Sequence, residues 1–315
     1  MKLKEIDYKL LNYLYHNHNE PTSKIAKSTK ISRDKVEYRL NKYLNLGLIK
    51  KFIPIINYQA IGYNKQVIIF LKFEIEKQAK EFSKELKNNK HCISYGVILE
   101  KFDIYINGIF KNNQELEEFI TEIINKKEYQ LEDYLIIDPY FAELYPLKFL
   151  NKQTKENYKL KGNTNKHELD KLDLNILREI SKNGRIKLLD LSLKLKTNNT
   201  TIFYRLKKLK GKKIILGNRI QFDHKQIGYN YTVALINFKE QDVKEKIKQF
   251  ARSSKKTNSL ILNLHKPNAI IQFFYKEEQE LRTEILKLKK ILENNKIDLE
   301  IIHINEEEYI NTIPF

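Results

Sequence analysis

A chain of 315 residues with 41% hydrophobic residues is long enough to bury two or more cores, and 58 Lys+Arg against 40 Asp+Glu leave a net charge of +18. The single cysteine, Cys92, excludes an intrachain disulfide framework and fits a reducing compartment. Residues 1–5 lack a secretory apolar stretch and no apolar run approaches the roughly 18 residues of a membrane helix, so a cytoplasmic protein without a membrane partner is expected.

The charge is unevenly placed. Residues 1–63 carry +7, 64–150 carry −3, 151–166 carry +4, 167–229 carry +9 and 230–315 carry +1. A lysine-rich codon bias would inflate the total without producing this alternation. Two polyanion-binding modules, each followed by a near-neutral module with another job, account for it.

The chain also repeats. At a constant offset of 166 residues, Asp7 falls on Asp173, Tyr38-Arg39-Leu40 on Tyr204-Arg205-Leu206, and Ile61-Gly62-Tyr63-Asn64 on Ile227-Gly228-Tyr229-Asn230. The expected organisation is a first polyanion-binding module (1–63), a first sheet domain (64–150), a basic flexible linker (151–166), a second polyanion-binding module (167–229) and a second sheet domain (230–315). As a random coil, the linker's ends would lie roughly 20–25 Å apart.

In chain order, Ile6, Leu10, Leu11 and Leu14 recur at helical spacing and predict an amphipathic helix over 3–16. Thr22 is a candidate N-cap for a short helix over 23–29, and Ser32 for a third over 33–46 that Gly47 stops. A strand over 48–55 follows and can supply a wing. The second copy repeats this with helices over 169–182, 187–195 and 198–210 and a strand over 214–222. The pattern is a winged helix-turn-helix, whose third helix is free to enter a major groove. The candidate DNA contacts on its outer face are Ser32, Arg33, Lys35, Tyr38, Arg39 and Lys42, with Asp34 among them. Their counterparts are Asn198, Asn199, Thr200, Thr201, Tyr204, Arg205 and Lys208.

Beyond each module the predicted order is βαββαβ: strand 65–75, helix 77–88, strands 92–99 and 102–110, helix 113–125, strand 131–138. It recurs as 231–238, 242–253, 259–264, 269–275, 278–292 and 298–304. The fold class is therefore α+β, a tandem repeat of a winged helix-turn-helix followed by a ferredoxin-like βαββαβ domain. The sheet face without helices needs cover, so the two sheets are expected to pack on each other, within one chain or between chains.

Residues 168–229 resemble the N-terminal half of the Lrp/AsnC (feast/famine) family of transcriptional regulators, through Leu169-Asp170, Asp173, Ile176-Leu177, Asn183-Gly184-Arg185, Arg205, Leu209, Ile214-Ile215 and Ile227-Gly228-Tyr229. The first copy shows the same frame in Asp7, Leu10-Leu11, Ile25-Ala26, Ile31-Ser32, Val36, Arg39, Leu46-Gly47-Leu48-Ile49 and Ile61-Gly62-Tyr63. The resemblance implies double-stranded DNA as partner, and an effector-sensing sheet domain that builds homo-oligomers. Effector-binding members carry a glycine and an aspartate between the middle strands. Here that turn reads Glu100-Lys101-Phe102-Asp103 in the first copy, with the aspartate but not the glycine, and His265-Lys266-Pro267-Asn268 in the second, with neither. Phe102 and Asp103 are the effector candidates, and a small-molecule effector is left open.

The copies also depart from each other. His18-Asn19 stands where the second copy has Gly184-Arg185, which removes one expected phosphate contact, and Lys213 stands where the first has Gly47. Arg33 and Lys35 suit guanine, whereas Asn198 and Asn199 suit adenine, so two unlike half-sites are expected. His16-x-His18 has no further ligand at zinc spacing and reads as a surface pair rather than a metal site. No P-loop, dinucleotide fingerprint or nucleophile elbow is present, so no cofactor and no catalysis are expected. Two other functions remain open: a siroheme decarboxylase-like enzyme, whose histidine-rich signature is missing at 91–95 and 258–262, and an architectural protein that coats DNA without sequence preference.

Overall fold

The computed structural model describes residues 3–98, 100–145, 148, 150, 158–160, 166–239, 242–292, 297–309 and 313. The first half runs α1 (Glu5–Asn17), α2 (Thr22–Thr29), α3 (Arg33–Asn45), β1 (Ile49–Ile56), β2 (Lys65–Phe73), α4 (Glu76–Leu86), β3 (Cys92–Ile98), β4 (Ile104–Phe110), α5 (Asn113–Asn125), β5 (Leu131–Ile137), β6 (Pro139–Leu144) and β7 (Tyr158–Lys159). The second runs α6 (Lys171–Lys182), α7 (Leu188–Lys194), α8 (Asn199–Gly211), β8 (Ile215–Phe222), β9 (Asn230–Asn237), α9 (Asp242–Ser253), β10 (Thr257–Asn263), β11 (Ala269–Tyr275), α10 (Glu278–Ile291) and β12 (Asp298–Tyr309). These elements sort into two units, residues 1–61 with 165–229, and 62–164 with 230–315. Each unit thus joins corresponding parts of the two copies.

In the first unit, the apolar stripe of α1 (Leu10, Leu11, Leu14) is fully buried, as is that of α6 (Ile176, Leu177). The strands expected to supply the wings form as β1 in the first module and β8 in the second. No second strand follows β1 within its own module, so its edge would be left unpaired. Instead β1 pairs antiparallel with β8, with Phe52 opposite Ile220 and Ile53 opposite Arg219. The ends of this pair are closed twice by the same contact: Asn57 N–H donates to the Ile214 carbonyl at 2.8 Å, and Asp223 N–H donates to the Leu48 carbonyl at 3.0 Å. Because 57 and 223, and 48 and 214, are repeat equivalents, the two copies meet as the halves of a two-fold dimer do. Tyr15 of α1 stacks on Phe222 of β8 with ring centroids 6.5 Å apart.

The turn after α6 corrects two expectations. Arg185 is not free for phosphate: its guanidinium donates to the His18 carbonyl and lies 5.6 Å above the Phe52 ring. His18 is not on the surface. It is 1% exposed, with its ring 5.0 Å from Phe52. Gly184 N–H donates to the Phe52 carbonyl at 3.0 Å, and a Cβ there would meet His18 Cε1 at 2.6 Å and Phe52 O at 2.8 Å. Gly184→Ala is expected to cost about 1–3 kcal/mol through this overpacking, read as a lower urea midpoint with an unchanged slope.

In the second unit, each βαββαβ set forms the expected four strands, in the orders β5-β2-β4-β3 and β12-β9-β11-β10. The two are not merely stacked. β3 pairs antiparallel with β12, so one ten-stranded sheet runs through both copies within a single chain. β6, which was not anticipated, crosses to the second copy and pairs with β10. β7 pairs with β6 and falls inside the stretch read as a flexible linker; residues 151–157 and 161–165 of that linker lie outside the described residues. Helix-facing cores gather around Ile69, Phe73, Phe82 and Phe119 in one copy and around Ala234, Ile247, Phe250 and Phe273 in the other. A third core joins the opposite faces, with Phe70, Phe102 and Tyr105 packed in one cluster with Tyr231, Val233 and Ile302. The sheet faces expected to carry homo-oligomers are thus filled within the chain. Among the described residues no helix is long and apolar enough to cross a membrane, and no three His, Cys, Asp or Glu side chains gather as a metal site.

Candidate nucleic-acid interface

In each module the third helix is entered through a tight turn made possible by a left-handed residue, Lys30 (φ 53°) before α3 and Lys196 (φ 49°) before α8. Val36, Leu40 and Tyr43 anchor α3 in its core. The periodicity that buries them turns Ser32, Arg33, Asp34, Lys35, Tyr38 and Lys42 outward, and all six are exposed. Tyr38 is 66% exposed. On α8, Ile202 and Leu209 face inward while Asn198, Asn199, Thr200, Tyr204 and Lys208 are exposed and Thr201 is half-buried.

Three candidate contacts are committed elsewhere. Arg39 forms an ion pair with Asp7, whose Oδ1 also accepts from the Tyr43 hydroxyl at 2.5 Å and whose Oδ2 accepts from the Lys4 N–H at 2.8 Å. Arg205 makes the equivalent contact, pairing with Asp170 and, at 3.2 Å, with Asp173. The Asp173 N–H and the Arg205 guanidinium hold the Asp170 carboxyl below the usual carboxylate range. These arginines therefore fasten the third helix to the first within each module. The third is Asn198, whose carboxamide oxygen caps α8 by accepting from Thr201 N–H at 2.7 Å, a bond that competes with a bidentate contact with adenine.

One exposed residue was missed. Phe203 is 54% exposed beside Tyr204, with their rings edge-on at 5.7 Å. It holds the position of Glu37 in the first copy, and that exchange of charge for ring at an outward helical position is the signal the repeat alignment contains. The effector candidates are internally satisfied: Asp103 accepts from Lys72 Nζ at 3.0 Å and from the Phe73 N–H at 2.8 Å, while Phe102 is buried against Phe70 at 5.3 Å.

A sequence profile of winged helix-turn-helix DNA-binding domains matches residues 169–215. The chain is 28% identical over 123 residues to the HTH-type transcriptional regulator FL11 of Pyrococcus abyssi, a match covering 39% of this chain and 81% of that protein. It is 22% identical over 125 residues to an uncharacterized HTH-type transcriptional regulator of Pyrococcus furiosus, covering 40% and 84%. Matches of that length are close to one copy of the repeat. Among solved structures, the siroheme decarboxylase NirDL superposes with a TM-score of 0.65 at 13% identity, covering 99% of this chain and 94% of that one. At that identity the likeness is one of fold.

Proposed function

We propose that this chain is a sequence-specific regulator of transcription that binds double-stranded DNA in the cytoplasm, with one polypeptide supplying both halves of a dimer-like reader. The observation that carries the reading is the β1–β8 pair. It ties together two modules whose third helices each expose a polar N-terminal turn, basic in α3 through Arg33 and Lys35 and uncharged in α8 through Asn199 and Thr200. In this mechanism Arg33 and Lys35 donate to base edges of one half-site and Lys42 to phosphate. In the other half-site Thr200, Phe203 and Tyr204 offer methyl and ring contacts suited to thymine, while Lys208 meets the backbone. Two unlike half-sites follow, separated by one helical turn of about 10 bp or a multiple of it.

Selection from random duplex DNA with the full chain tests this. A recurrent bipartite site supports it, whereas uniform recovery of all sequences means architectural coating instead. Arg33→Ala with Lys35→Ala is expected to weaken binding to the selected site by roughly 10- to 100-fold and to relax preference in one half only, read by fluorescence anisotropy. With about 8 phosphates neutralised, log affinity should fall against log salt with a slope of roughly −7.

A second reading rests on the full-length fold likeness to NirDL: an enzyme acting on a tetrapyrrole. Against it, the middle strand β3 offers only the buried Cys92, Ser94 and Tyr95 beyond His91, and His91 stacks on Phe110. Titration of the purified chain with siroheme discriminates: a shifted, saturable Soret band favours the enzyme, an unperturbed spectrum the regulator.

A further inference from the structure

The two sheet domains share one frame. Lys111 N–H donates to the Glu115 carboxylate at 2.8 Å ahead of α5, and Lys276 N–H donates to Glu280 at 2.7 Å ahead of α10. That offset of 165 residues sets Glu284 in the place of Phe119 and Lys256 in the place of His91. In the first domain this place is packed solid. His91 stacks on Phe110 at 4.7 Å, and Phe119, itself buried, lies 5.3 Å from Phe110. In the second domain Tyr275 keeps the ring of Phe110, but Lys256 and Glu284 replace the other two, and an open cleft of about 530 Å³ lies between the C-terminal ends of α9 and α10.

The cleft has a definite chemistry. Phe250 and Ile291 supply apolar wall, and Lys255, Lys256, Lys287 and Lys290 surround it. Lys256 is paired with Glu280 at 2.6 Å and Lys287 with Glu284 at 2.7 Å, whereas Lys255 and Lys290 make no ion pair among the described residues. Glu284 lies on the inward stripe of α10 with Leu281 and Leu288 and is 7% exposed. Its Oε1 accepts from Lys287, but its buried Oε2 has no hydrogen-bond partner among the described residues. A carboxylate oxygen removed from water without a donor is costly, all the more where the sister copy carries a phenylalanine.

We propose that this cleft is a binding site for a small hydroxyl-bearing phosphate monoester. A monoester carries nearly two negative charges at neutral pH, matching the two uncommitted ammonium groups of Lys255 and Lys290. Glu284 turns to bring Oε2, shut off from solvent in the free chain, to a ligand hydroxyl that donates to it, and the carbon skeleton lies against Phe250 and Ile291. The volume falls within the range of small-molecule sites.

Isothermal titration of the full chain with ribose 5-phosphate, inorganic phosphate and ribose tests it. Saturable 1:1 binding of ribose 5-phosphate, at least tenfold tighter than inorganic phosphate and absent for ribose, is expected. Glu284→Phe, which puts back the ring that the sister domain carries there, should abolish binding while raising the thermal midpoint. Lys255→Ala with Lys290→Ala should weaken it at least tenfold with the midpoint unchanged. Equal affinity for inorganic phosphate, undiminished binding by either variant, or no saturable heat from any probe overturns the proposal. None of these outcomes depends on the DNA-binding reading, because both variants lie outside the helix-turn-helix modules.

Discussion

Acidification from pH 6.5 to 4 is expected to destabilise the unit formed by residues 1–61 and 165–229 through two buried histidines. Burial pushes the imidazoles of His18 and His224 down to about 4, below the ordinary value of 6.5. The unfolded chain takes up protons on both residues as pH falls through about 6.5, while the folded unit stays neutral until about 4. The contribution is therefore complete above pH 6.5 and is lost progressively as pH falls, by roughly 3 kcal/mol per histidine at pH 4. Urea denaturation at pH 7, 5.5 and 4.5, followed by tyrosine fluorescence, reads the loss. His18→Phe, which keeps a ring against Phe52, should flatten part of the pH dependence. A pH-independent midpoint contradicts burial of these two rings.

Asp7→Ala is expected to cost about 3 kcal/mol, more than any substitution on the exposed face of α3. The Asp7 side chain is 3% exposed and accepts from Arg39, Tyr43 and the Lys4 backbone, so its removal strands a guanidinium and a hydroxyl in a shielded place. Arg39→Ala should also destabilise the first module. Arg33→Ala should leave its unfolding midpoint within about 0.5 kcal/mol and lower DNA affinity alone. Thermal unfolding of the three variants beside DNA titration separates fastening from reading. Equal stability for Asp7→Ala and the parent chain would contradict the role assigned to this cluster.

Much of the architecture was legible because it rests on local periodicity and internal repetition. The α1 and α6 stripes, the turn into each third helix and both βαββαβ orders follow from spacing alone. What was not legible depends on partners far away in sequence. The strand over 48–55 carries no mark telling whether it folds back as a wing or pairs with residues 215–222. Nor do residues 139–144 declare that they complete the sheet of the other copy, since Pro139 opens them and a polar stretch follows. The site was legible as a face but not residue by residue. Helical spacing places Arg39 outward as readily as Arg33, and only the carboxylate of Asp7, one helix away, draws it inward. Asn198 was correctly placed at a helix start, but its capping bond competes with the base contact assigned to it. Phe203 and Glu284 break the apolar pattern in opposite directions, one exposed and one buried. They emerge when each copy serves as the reference for the other.

The central claim is that one chain reads both halves of a site. Stoichiometric titration of the selected duplex by the full chain, far above the dissociation constant, with hydroxyl-radical footprinting at the equivalence point, tests it most directly. The account predicts saturation at one chain per duplex with two protected segments about one helical turn, or a multiple of it, apart, and loss of only one segment in the Arg33→Ala, Lys35→Ala chain. Saturation at two chains per duplex, or a single protected segment with the unaltered chain, would contradict it.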